Sequence, residues 1–269
     1  MIRLTAHAKV NLFLEITGRR PDGYHTLSTA FQTISLGDEL VFAPAAHLSL
    51  TCSDSSLPVD EQNLVMRAAL RLREALKEER GAKIRLDKKV PMGAGLGGGS
   101  ADAAATIKGL LQLWGRRLDI SVVRRLAVGL GADVPFFLRG GLCFATGIGE
   151  KLKARKPLPK TWMVLVWPGF GVSTKEAYAK VRLPFTDLPI HRSADPRQSL
   201  FNRFESLVFP EHPELPRLKS ALLDAGATGA LMSGSGSSVF GLAKSRVQAE
   251  QILTRIQKSY NHAWLVHTI

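Results

Sequence analysis

The chain has 269 residues, of which 45% are hydrophobic and 22% are charged, and its formal net charge is +13. This length can bury a full core in one large or two modest domains, and the composition is that of an ordinary globular protein rather than a repetitive or low-complexity one. The positive charge favours an anionic partner, such as nucleic acid, a membrane surface or a polyanionic metabolite, although charge that serves only solubility explains it equally well.

The cysteines and the apolar runs bear on the compartment in which the protein works. Its two cysteines, Cys52 and Cys143, lie in apolar, strand-like segments without C-x-x-C spacing, so neither a disulfide scaffold nor a metal site is indicated. The N-terminus enters patterned structure at once and lacks an apolar signal core, and no later apolar run reaches membrane-spanning length. We therefore expect a cytoplasmic protein with no membrane partner.

Hydrophobic and polar residues alternate without interruption over residues 2–17. Such period-two alternation predicts one long or two consecutive half-buried strands. His7, Lys9 and Asn11 share the polar face of this segment. That face is either simply solvated or, because small alanines stand on the opposite face, part of a crowded site.

A glycine-rich stretch, the first glycine loop (residues 91–102), is the most distinctive part of the sequence. Five glycines in the seven positions 93–99 precede an alanine-rich apolar run, which is typical of a loop that leads into a helix N-terminus. The unpaired N–H groups and the positive end of the helix dipole favour a phosphate ligand there. Ser100 is the predicted N-cap of the helix, and Asp102 is predicted in its first turn, where a negative charge suits the dipole.

Two familiar phosphate-binding motifs differ in how well they fit this loop. A Walker A motif is excluded, because the lysine that must follow its last glycine is missing. Gly93, Gly95 and Gly98 satisfy G-x-G-x-x-G, and Asp119 lies roughly where a dinucleotide-binding fold places its acidic residue, so spacing alone leaves a Rossmann unit open.

A second unusual stretch surrounds Asp133. Pro135 disfavours helical backbone at Val134, so the sequence predicts Asp133 at a sharp corner beside the buried aromatics Phe136 and Phe137. An acid in apolar surroundings needs a basic partner. A turn-forming or capping aspartate is the alternative interpretation.

The second half of the chain has its own pattern. Residues 153–159 are the predicted linker, and residues 184–196 are predicted as a proline-spaced loop. With two middle helices set aside, the remaining elements follow the order β-α-β-β-α-β of a ferredoxin-like unit. The second glycine loop (residues 233–238, S-G-S-G-S-S) joins its central strands and is either a hairpin connection or a second backbone site for anions.

Together these features resemble the GHMP kinase superfamily, named for galactokinase, homoserine kinase, mevalonate kinase and phosphomevalonate kinase. The shared features are the strand with Lys9 and Asn11, the first glycine loop and the second glycine loop. Within the superfamily, the chain is most similar to the branch that acts on a cytidine-diphosphate-linked methylerythritol. The segments that carry this closer similarity are residues 8–12 (A-K-V-N-L), 20–25 (R-P-D-G-Y-H), 131–136 (G-A-D-V-P-F) and 232–238 (M-S-G-S-G-S-S).

The resemblance implies a fold and a reaction. The fold is α+β with two domains: an N-terminal domain like ribosomal protein S5 domain 2 over residues 1–155, which carries the ATP phosphate loop, and a ferredoxin-like C-terminal domain over residues 156–269, which completes the substrate cleft. The reaction is ATP-dependent, Mg²⁺-assisted phosphorylation of the 2-hydroxyl of 4-(cytidine 5'-diphospho)-2-C-methyl-D-erythritol. That step belongs to the non-mevalonate route to isoprenoid precursors.

The resemblance also assigns catalytic and nucleotide-binding residues. Asp133 would accept or orient the proton of the substrate hydroxyl, and Lys9 would keep Asp133 ionised and offset charge on the transferred phosphoryl group. Ser100 is the candidate protein ligand of Mg²⁺. The residues assigned to the ATP phosphates are Pro91, Met92, Gly93, Ala94, Gly95, Leu96, Gly97, Gly98, Gly99, Ser100 and Ala101.

For the acceptor substrate, the implied contacts involve a base and polar groups. Tyr24 and Tyr178 would sandwich the cytosine, and His25 and Asn11 would supply polar contacts. A core or surface tyrosine on an amphipathic helix is the alternative for Tyr178. The residues assigned to the acceptor are Asn11, Tyr24, His25, Tyr178, Gly234 and Gly236.

Two other functions stay open at this point. One is another GHMP kinase, acting on homoserine or mevalonate, whose substrates lack a base for Tyr24 and His25 to hold. The other is a basic RNA-binding protein with an S5-like fold, against which stand the absence of basic tails and the presence of two glycine loops. The expected partner is a small molecule carrying cytidine diphosphate, with no nucleic acid and no membrane, and the expected assembly is a monomer or weak homodimer.

Overall fold

The structure is a computed structural model that describes residues 1–183 and 195–269. The loop predicted over residues 184–196 therefore lies almost entirely outside the described residues. Within the described ranges, the strands are β1 (Ile2–Arg19), β2 (His25–Ala45), β3 (Leu48–Cys52), β4 (Gly81–Asp87), β5 (Leu142–Thr146), β6 (Lys151–Ala154), β7 (Trp162–Val166), β8 (Phe201–Asn202), β9 (Gly229–Met232), β10 (Val239–Ala243) and β11 (Ala263–His267). The helices are α1 (Leu64–Leu76), α2 (Gly98–Trp114), α3 (Ile120–Leu130), α4 (Val134–Arg139), α5 (Thr174–Ala179), α6 (Arg203–Val208), α7 (Glu214–Asp224) and α8 (Arg246–Ile256).

This mixture of strands and helices confirms the α+β class. By density of backbone contacts the chain forms two compact units, each assembled from separate segments. The first unit contains Met1–Ala8, Leu36–Val90 and Gly97–Gly140, and the second contains Lys9–Ser35, Pro91–Leu96 and Gly141–Ile269. The domain boundary near residue 155 stays a prediction. None of the helices in the two described ranges is long and apolar enough to cross a membrane.

The first unit joins a small sheet to four helices. The later part of β2 pairs antiparallel with β4, and β3 pairs parallel with β4 on the other side. The helices α1, α2, α3 and α4 pack against one another, and Gly109 of α2 lies so close to Phe42 that a Cβ there would fall 2.4 Å from the phenyl ring. Because β4, the strand before the first glycine loop, runs antiparallel to β2, the unit is not a Rossmann fold. Asp119 has a structural role instead, since it caps α3 by accepting the N–H of Ser121 at 2.7 Å.

The second unit contains the ferredoxin-like sheet. Its four strands are all antiparallel and lie in the order β11-β7-β10-β9, which confirms the predicted β-α-β-β-α-β arrangement. Leu218 and Leu222 of α7 and Ile252 and Ile256 of α8 share a hydrophobic core with Val164 of this sheet. In the same unit, β5 pairs with β2 and with β6, and the short β8 pairs parallel with β1.

β1 departs from the half-buried strand that its alternation predicts. Residues 8–16 are buried on both faces. Leu14 and Ile16 pack into the core of the second unit, while Lys9, Asn11 and Glu15, which alternate with them, are also buried. The interpretation of the polar face as simply solvated was therefore wrong, and each of these polar groups requires a partner inside the protein.

Candidate functional site

Lys9, in the second unit, is a buried lysine whose ammonium group is hydrogen-bonded to oxygen atoms of the protein. It is only 3% exposed, and its Nζ donates to Asn11 Oδ1 at 2.7 Å and to the Gly95 carbonyl at 2.8 Å. The same nitrogen lies 5.5 Å from the centroid of the Phe31 ring. Oxygen acceptors and an aromatic face both favour a charged ammonium away from water.

Asn11 is held by protein groups on both sides of its amide. Its Oδ1 accepts from Lys9, while its Nδ2 donates to Thr29 Oγ1 at 2.8 Å, and the Thr29 hydroxyl donates to the Phe13 carbonyl at 2.6 Å. The backbone N–H of Asn11 donates to Ser233 Oγ at 3.3 Å. These bonds fix the amide so that its oxygen faces Lys9, and that oxygen retains a second lone pair for a ligand.

The start of the first glycine loop touches the second glycine loop within the same unit. Gly95 has a φ of +74°, and a Cβ on it would lie 2.0 Å from the Ser233 carbonyl oxygen, so only glycine fits. The Gly95 carbonyl accepts from Lys9 Nζ and from Ser233 Oγ, the latter at 2.9 Å. The Ala94 carbonyl accepts the N–H of Ser238 at 3.1 Å. The carbonyl groups of these residues are thus directed into the protein.

Most backbone N–H groups of the first glycine loop, unlike its carbonyl groups, are not hydrogen-bonded within the described part of the protein. From Gly93 to Ser100, no backbone N–H donates to an acceptor among the described residues, and the first to do so is that of Ala101, which donates to the Gly97 carbonyl at 2.9 Å. Gly97 has a φ of +70° and is the N-cap of α2. Free N–H groups at the N-terminus of a 17-residue helix have the donor character and the dipole that suit an anion.

Ser100 does not cap α2 as predicted. The helix begins at Gly98, two residues earlier than Ser100, because Gly97 takes the left-handed conformation and Gly98 and Gly99 form the first helical positions. Ser100 therefore lies inside the first turn, and among the described residues its hydroxyl has no hydrogen-bond partner. Mg²⁺ bound with a nucleotide usually takes few protein ligands beside phosphate and water, so a single hydroxyl fits it. Across residues 1–183 and 195–269, no group of three or more His, Cys, Asp or Glu is arranged to hold a metal alone.

Asp133 precedes α4 in the first unit. The prediction that Pro135 would keep Val134 out of helical backbone was wrong: Val134 is the first helical residue, and Pro135 occupies the first turn, where no N–H is needed. The Asp133 side chain makes no capping hydrogen bond, but the residue lies in the turn that precedes α4, in agreement with the turn-forming alternative. Lys108 of α2 donates to the Phe137 carbonyl of α4 at 3.0 Å, and burial lowers the pKa of Lys108.

A buried cluster that the sequence did not reveal lies beside α2 in the first unit. Lys88 Nζ donates to Asp38 at 2.5 Å and to Asp102 at 2.9 Å, and Asp38 also accepts the N–H groups of Lys89 and Val90. The prediction for Asp102 was wrong, since it lies beyond the first turn of α2 and is buried in an ion pair.

The charges of this cluster do not balance. Burial raises the pKa of Asp102 to about 7. Burial lowers the pKa of Lys88, but the charges of Asp102 and Asp38 outweigh it and raise that pKa overall. Among the described residues, Asp102 Oδ1 has no hydrogen-bond partner.

The residues assigned to the cytosine lie at the edge of the second unit. The rings of His25 and Tyr178 stack with centroids 5.3 Å apart and planes 17° apart, and Phe204 meets Tyr178 edge-on at 4.9 Å. Burial, followed by the charge of Arg19, lowers the pKa of His25. Tyr24 is 61% exposed. The structure therefore brings His25 and Tyr178 together and leaves a face of Tyr24 accessible.

The second glycine loop contacts α5, the helix that carries Tyr178. Thr174, at the start of α5, shares a hydrogen bond of 2.9 Å with Ser235 Oγ, and Tyr178 lies one turn further along that helix. Gly234 has a φ of +57°, and a Cβ on it would lie 3.1 Å from the Gly95 carbonyl oxygen and 3.4 Å from Lys9 Nζ. A larger residue at Gly234 would displace these atoms. Gly236, with a φ of +94°, would meet the Met232 sulfur at 2.8 Å.

The assigned residues thus divide between the units. The second unit holds Lys9, Asn11, Tyr24, His25, Tyr178, Gly234, Gly236 and the loop residues up to Leu96, while the first unit holds Asp133 and the loop residues from Gly97 to Ala101. Within the second unit, contacts connect Lys9 and Asn11 to both glycine loops, and connect the second glycine loop to α5.

The sequence matches two models of one protein family. The model described as GHMP kinases N terminal domain matches residues 63–141, and the model described as GHMP kinases C terminal matches residues 189–262.

Individual proteins are similar over nearly the whole chain. A 4-diphosphocytidyl-2-C-methyl-D-erythritol kinase of Prosthecochloris aestuarii is 41% identical over 271 positions, covering 96% of this chain and 95% of that protein. A protein of the same name from Symbiobacterium thermophilum is 41% identical over 282 positions, covering 100% of both chains. A crystal structure of 4-(cytidine 5'-diphospho)-2C-methyl-D-erythritol kinase, 38% identical, superimposes with a TM-score of 0.86 and covers 99% of each chain.

Proposed function

The chain belongs to the 4-diphosphocytidyl-2-C-methyl-D-erythritol kinase family of the GHMP kinases, and from this premise we propose that it transfers the γ-phosphoryl group of ATP to the 2-hydroxyl of 4-(cytidine 5'-diphospho)-2-C-methyl-D-erythritol. This reaction supplies the non-mevalonate route to isoprenoid precursors. The enzyme acts in the cytoplasm as a monomer or weak homodimer on a small-molecule substrate, without nucleic acid.

One observation carries the proposal. Within the second unit, the buried Lys9 is bonded to Asn11 and Gly95, and Ser233 bonds to both of these residues as well. A lysine at the meeting point of a polar strand and two glycine loops suits a reaction in which two anionic substrates approach each other. This arrangement supports a phosphotransferase more directly than an RNA-binding surface, which would not need a buried lysine.

The ATP phosphates bind the free N–H groups between Gly93 and Ser100. Those of Gly93 to Leu96 project from the loop itself, and those of Gly97 to Ser100 add the positive end of the α2 dipole. The Ser100 hydroxyl would hold Mg²⁺ beside the nucleotide, and the metal would supply positive charge that offsets the charge of the phosphates.

The chemical step uses Asp133 and Lys9. The hydroxyl oxygen of the substrate forms a bond to the γ-phosphorus, and Asp133 accepts the proton that this oxygen loses. The bond between the γ-phosphorus and the bridging β,γ-oxygen breaks at the same time and releases ADP. Lys9 offsets the charge that spreads over the transferred phosphoryl oxygens. The rest of the rate enhancement comes from holding the two reactants in line.

The cytidine half of the acceptor binds beside α5. Tyr24 and Tyr178 offer aromatic faces for the cytosine, and the neutral imidazole of His25 offers one donor and one acceptor to its edge. Asn11, Gly234 and Gly236 line the part of the site nearer Lys9. The contact between His25 and Tyr178 supports this assignment, because it brings the imidazole and the tyrosine ring together beside α5.

A coupled assay of ADP release tests the proposal. We expect turnover with the cytidine-diphosphate methylerythritol and little or none with homoserine or mevalonate, together with competitive inhibition by CDP against the acceptor. A preference for homoserine or mevalonate, or no inhibition by cytidine nucleotides, would overturn the assignment of the substrate. Tight, steeply salt-dependent RNA binding without ATP-dependent turnover would favour the nucleic-acid alternative.

A further inference from the structure

Asn202 is a buried amide that uses both of its donor hydrogens and its oxygen. It is 3% exposed, and its Nδ2 donates to the carbonyls of Met232 and Gly234, each at 2.7 Å. Its Oδ1 accepts the N–H of Phe204 at 3.0 Å and so caps α6. A primary amide is the side-chain group that supplies two donors and one acceptor without a charge.

The bond to Gly234 orients the second glycine loop. A trans peptide is planar, so the carbonyl of Gly234 and the N–H of Ser235 point in opposite directions. Because the carbonyl is directed at Asn202, the N–H is directed away from it, and among the described residues this N–H has no acceptor. Gly234 is conformationally permissive, so without the Asn202 donor nothing in its own backbone prevents the peptide from turning.

Asn202 is itself fixed to the strand that carries Lys9. β8 pairs parallel with β1, with Asn202 in register with Leu14. The next residue, Arg203, forms a buried ion pair with Glu15 of β1 through two hydrogen bonds of 2.9 and 2.8 Å. The Asn202 amide therefore links the position of the second glycine loop to the position of β1.

The loop that Asn202 holds lies beside the residues assigned to the acceptor. Ser235 bonds to Thr174 at the start of α5, and the same helix carries Tyr178, which stacks on His25. A free N–H at Ser235 is a donor suited to a phosphate or hydroxyl oxygen of a ligand bound there.

We propose that Asn202 is a positioning residue for the acceptor substrate, and that it acts by holding the Gly234–Ser235 peptide so that the Ser235 N–H faces the bound acceptor. Asn202 itself touches no substrate. This role rests on the function proposed above, because that function assigns the second glycine loop to the acceptor.

Two variants separate orientation of the loop from capping of α6. Asn202→Asp keeps the shape and the capping oxygen but removes both donors and sets a carboxylate against two carbonyls. Asn202→Ser replaces the amide by a hydroxyl, which is also a good capping group, and its shorter side chain leaves both carbonyls without their donor. Asn261→Asp, on an exposed turn between α8 and β11, makes the same charge change and serves as the matched control.

The measurement is steady-state kinetics of the full chain, varying the cytidine-diphosphate methylerythritol and ATP in turn, with thermal unfolding alongside. For both Asn202 variants we expect the acceptor KM to rise about tenfold while the KM for ATP changes less than about twofold. The Asn261 variant should keep the wild-type values. If Asn202→Asp does not fold, Asn202→Ser decides the question.

Four other outcomes would count against the role of Asn202. A lower melting temperature with both KM values unchanged would show that Asn202 is merely structural. Equal rises in both KM values would show that the loop does not distinguish acceptor from ATP. If the wild-type chain phosphorylates no cytidine-diphosphate methylerythritol, the proposed function fails first and the role of Asn202 fails with it, whereas an active wild type with unaltered variants overturns the role of Asn202 alone.

Discussion

Lys9 owes its assigned role to burial as much as to charge. An exposed lysine attracts an anion weakly, because water and salt screen the interaction. At 3% exposure, with Asn11 and Gly95 oxygens within 2.8 Å, the Lys9 ammonium is held in one place and screened far less. A phosphoryl group that gains negative charge during transfer is stabilised most by such a preorganised cation.

Asp133 is the residue whose replacement should affect chemistry without affecting nucleotide binding. Asp133→Asn keeps the shape of the side chain but cannot accept the proton of the hydroxyl, so we expect kcat to fall by about 10²- to 10⁴-fold. The affinity for an ATP analogue, measured by calorimetry, should stay within about twofold, since the phosphates bind elsewhere. Asp119→Asn is the control, because asparagine caps a helix as well as aspartate does. Near-normal kcat in the Asp133 variant would remove it from the chemistry.

His25 gives the acceptor site a predictable pH dependence. Since burial and Arg19 lower its pKa below the ordinary value of 6.5, the imidazole is neutral at pH 7 and takes a proton only at more acid pH than a free histidine. We expect the acceptor KM to be constant from about pH 8 down to the ordinary histidine range and to rise below it, because protonation removes the acceptor nitrogen. His25→Gln, which cannot take a proton, should show no such rise. A wild-type KM that already climbs between neutral and mildly alkaline pH would contradict the neutral state.

At the scale of whole elements, the two glycine loops depend on each other's backbone. Gly95 tests this dependence. Gly95→Ala would set a Cβ 2.0 Å from the Ser233 carbonyl, whereas Gly115→Ala, at a similar φ of +61°, would meet nothing within 4 Å. Both variants carry the cost of left-handed backbone, roughly 1–2 kcal/mol, so their difference isolates the collision.

We expect Gly95→Ala to lower kcat/KM for ATP by about 100-fold. The collision with the Ser233 carbonyl would shift the loop, and a shift of about 1 Å is enough to misplace the ATP phosphates. Gly115→Ala should lower the melting temperature but keep kcat/KM near the wild-type value. Steady-state kinetics and thermal unfolding of both proteins decide the matter. If kcat/KM fell equally in the two variants, the loss of activity would come from strained backbone alone and not from the contact between Gly95 and Ser233.

The cluster of Asp38, Lys88 and Asp102 ties the end of β4 to α2. Lys88→Met would leave two buried carboxylates without their cation, and we expect the free energy of unfolding to fall by about 3–5 kcal/mol. Lys89→Met is the matched control, because the Lys89 side chain is 54% exposed against 7% for Lys88, and its loss should cost less than about 0.5 kcal/mol. Urea denaturation measures both. A similarly small fall in the free energy of unfolding for Lys88→Met and Lys89→Met would mean that the cluster does not stabilise the fold.

At the scale of the whole molecule, local patterns predicted the elements well and their surroundings poorly. The alternation in residues 2–17 correctly predicted a strand at β1, but it could not show that residues 8–16 are covered on both faces, since that burial comes from distant segments. The β-α-β-β-α-β order of the second unit was predicted because its strands and helices have clear periods and turn residues between them.

The failures in prediction share a physical cause. Ser100 was expected to cap α2 because serine caps helices well, yet glycines in the left-handed and helical conformations let the helix start earlier. Asp102 and Lys88 are 14 residues apart and Asp38 is 50 residues from Lys88, so no local rule links them. Asn202 likewise gave no signal as a positioning residue, because the two carbonyls to which it donates lie 30 and 32 residues further along the chain.

The family resemblance contributed what patterns could not. Residues 20–25 and 131–136 are short, and nothing in their composition alone assigns a substrate. Their similarity to one branch of the superfamily indicates a cytidine-diphosphate acceptor, and the identity of 41% over nearly the whole chain agrees with that branch.

Direct analysis of the reaction product tests the central claim most closely. The full chain would be incubated with ATP, Mg²⁺ and the cytidine-diphosphate methylerythritol, and the product examined by mass spectrometry and phosphorus NMR. We predict one ADP released for each acceptor consumed, and a single new phosphomonoester on the 2-hydroxyl, with the diphosphate bridge intact. ATP consumed without a phosphorylated acceptor, or a phosphate placed on another hydroxyl, would contradict the proposed reaction.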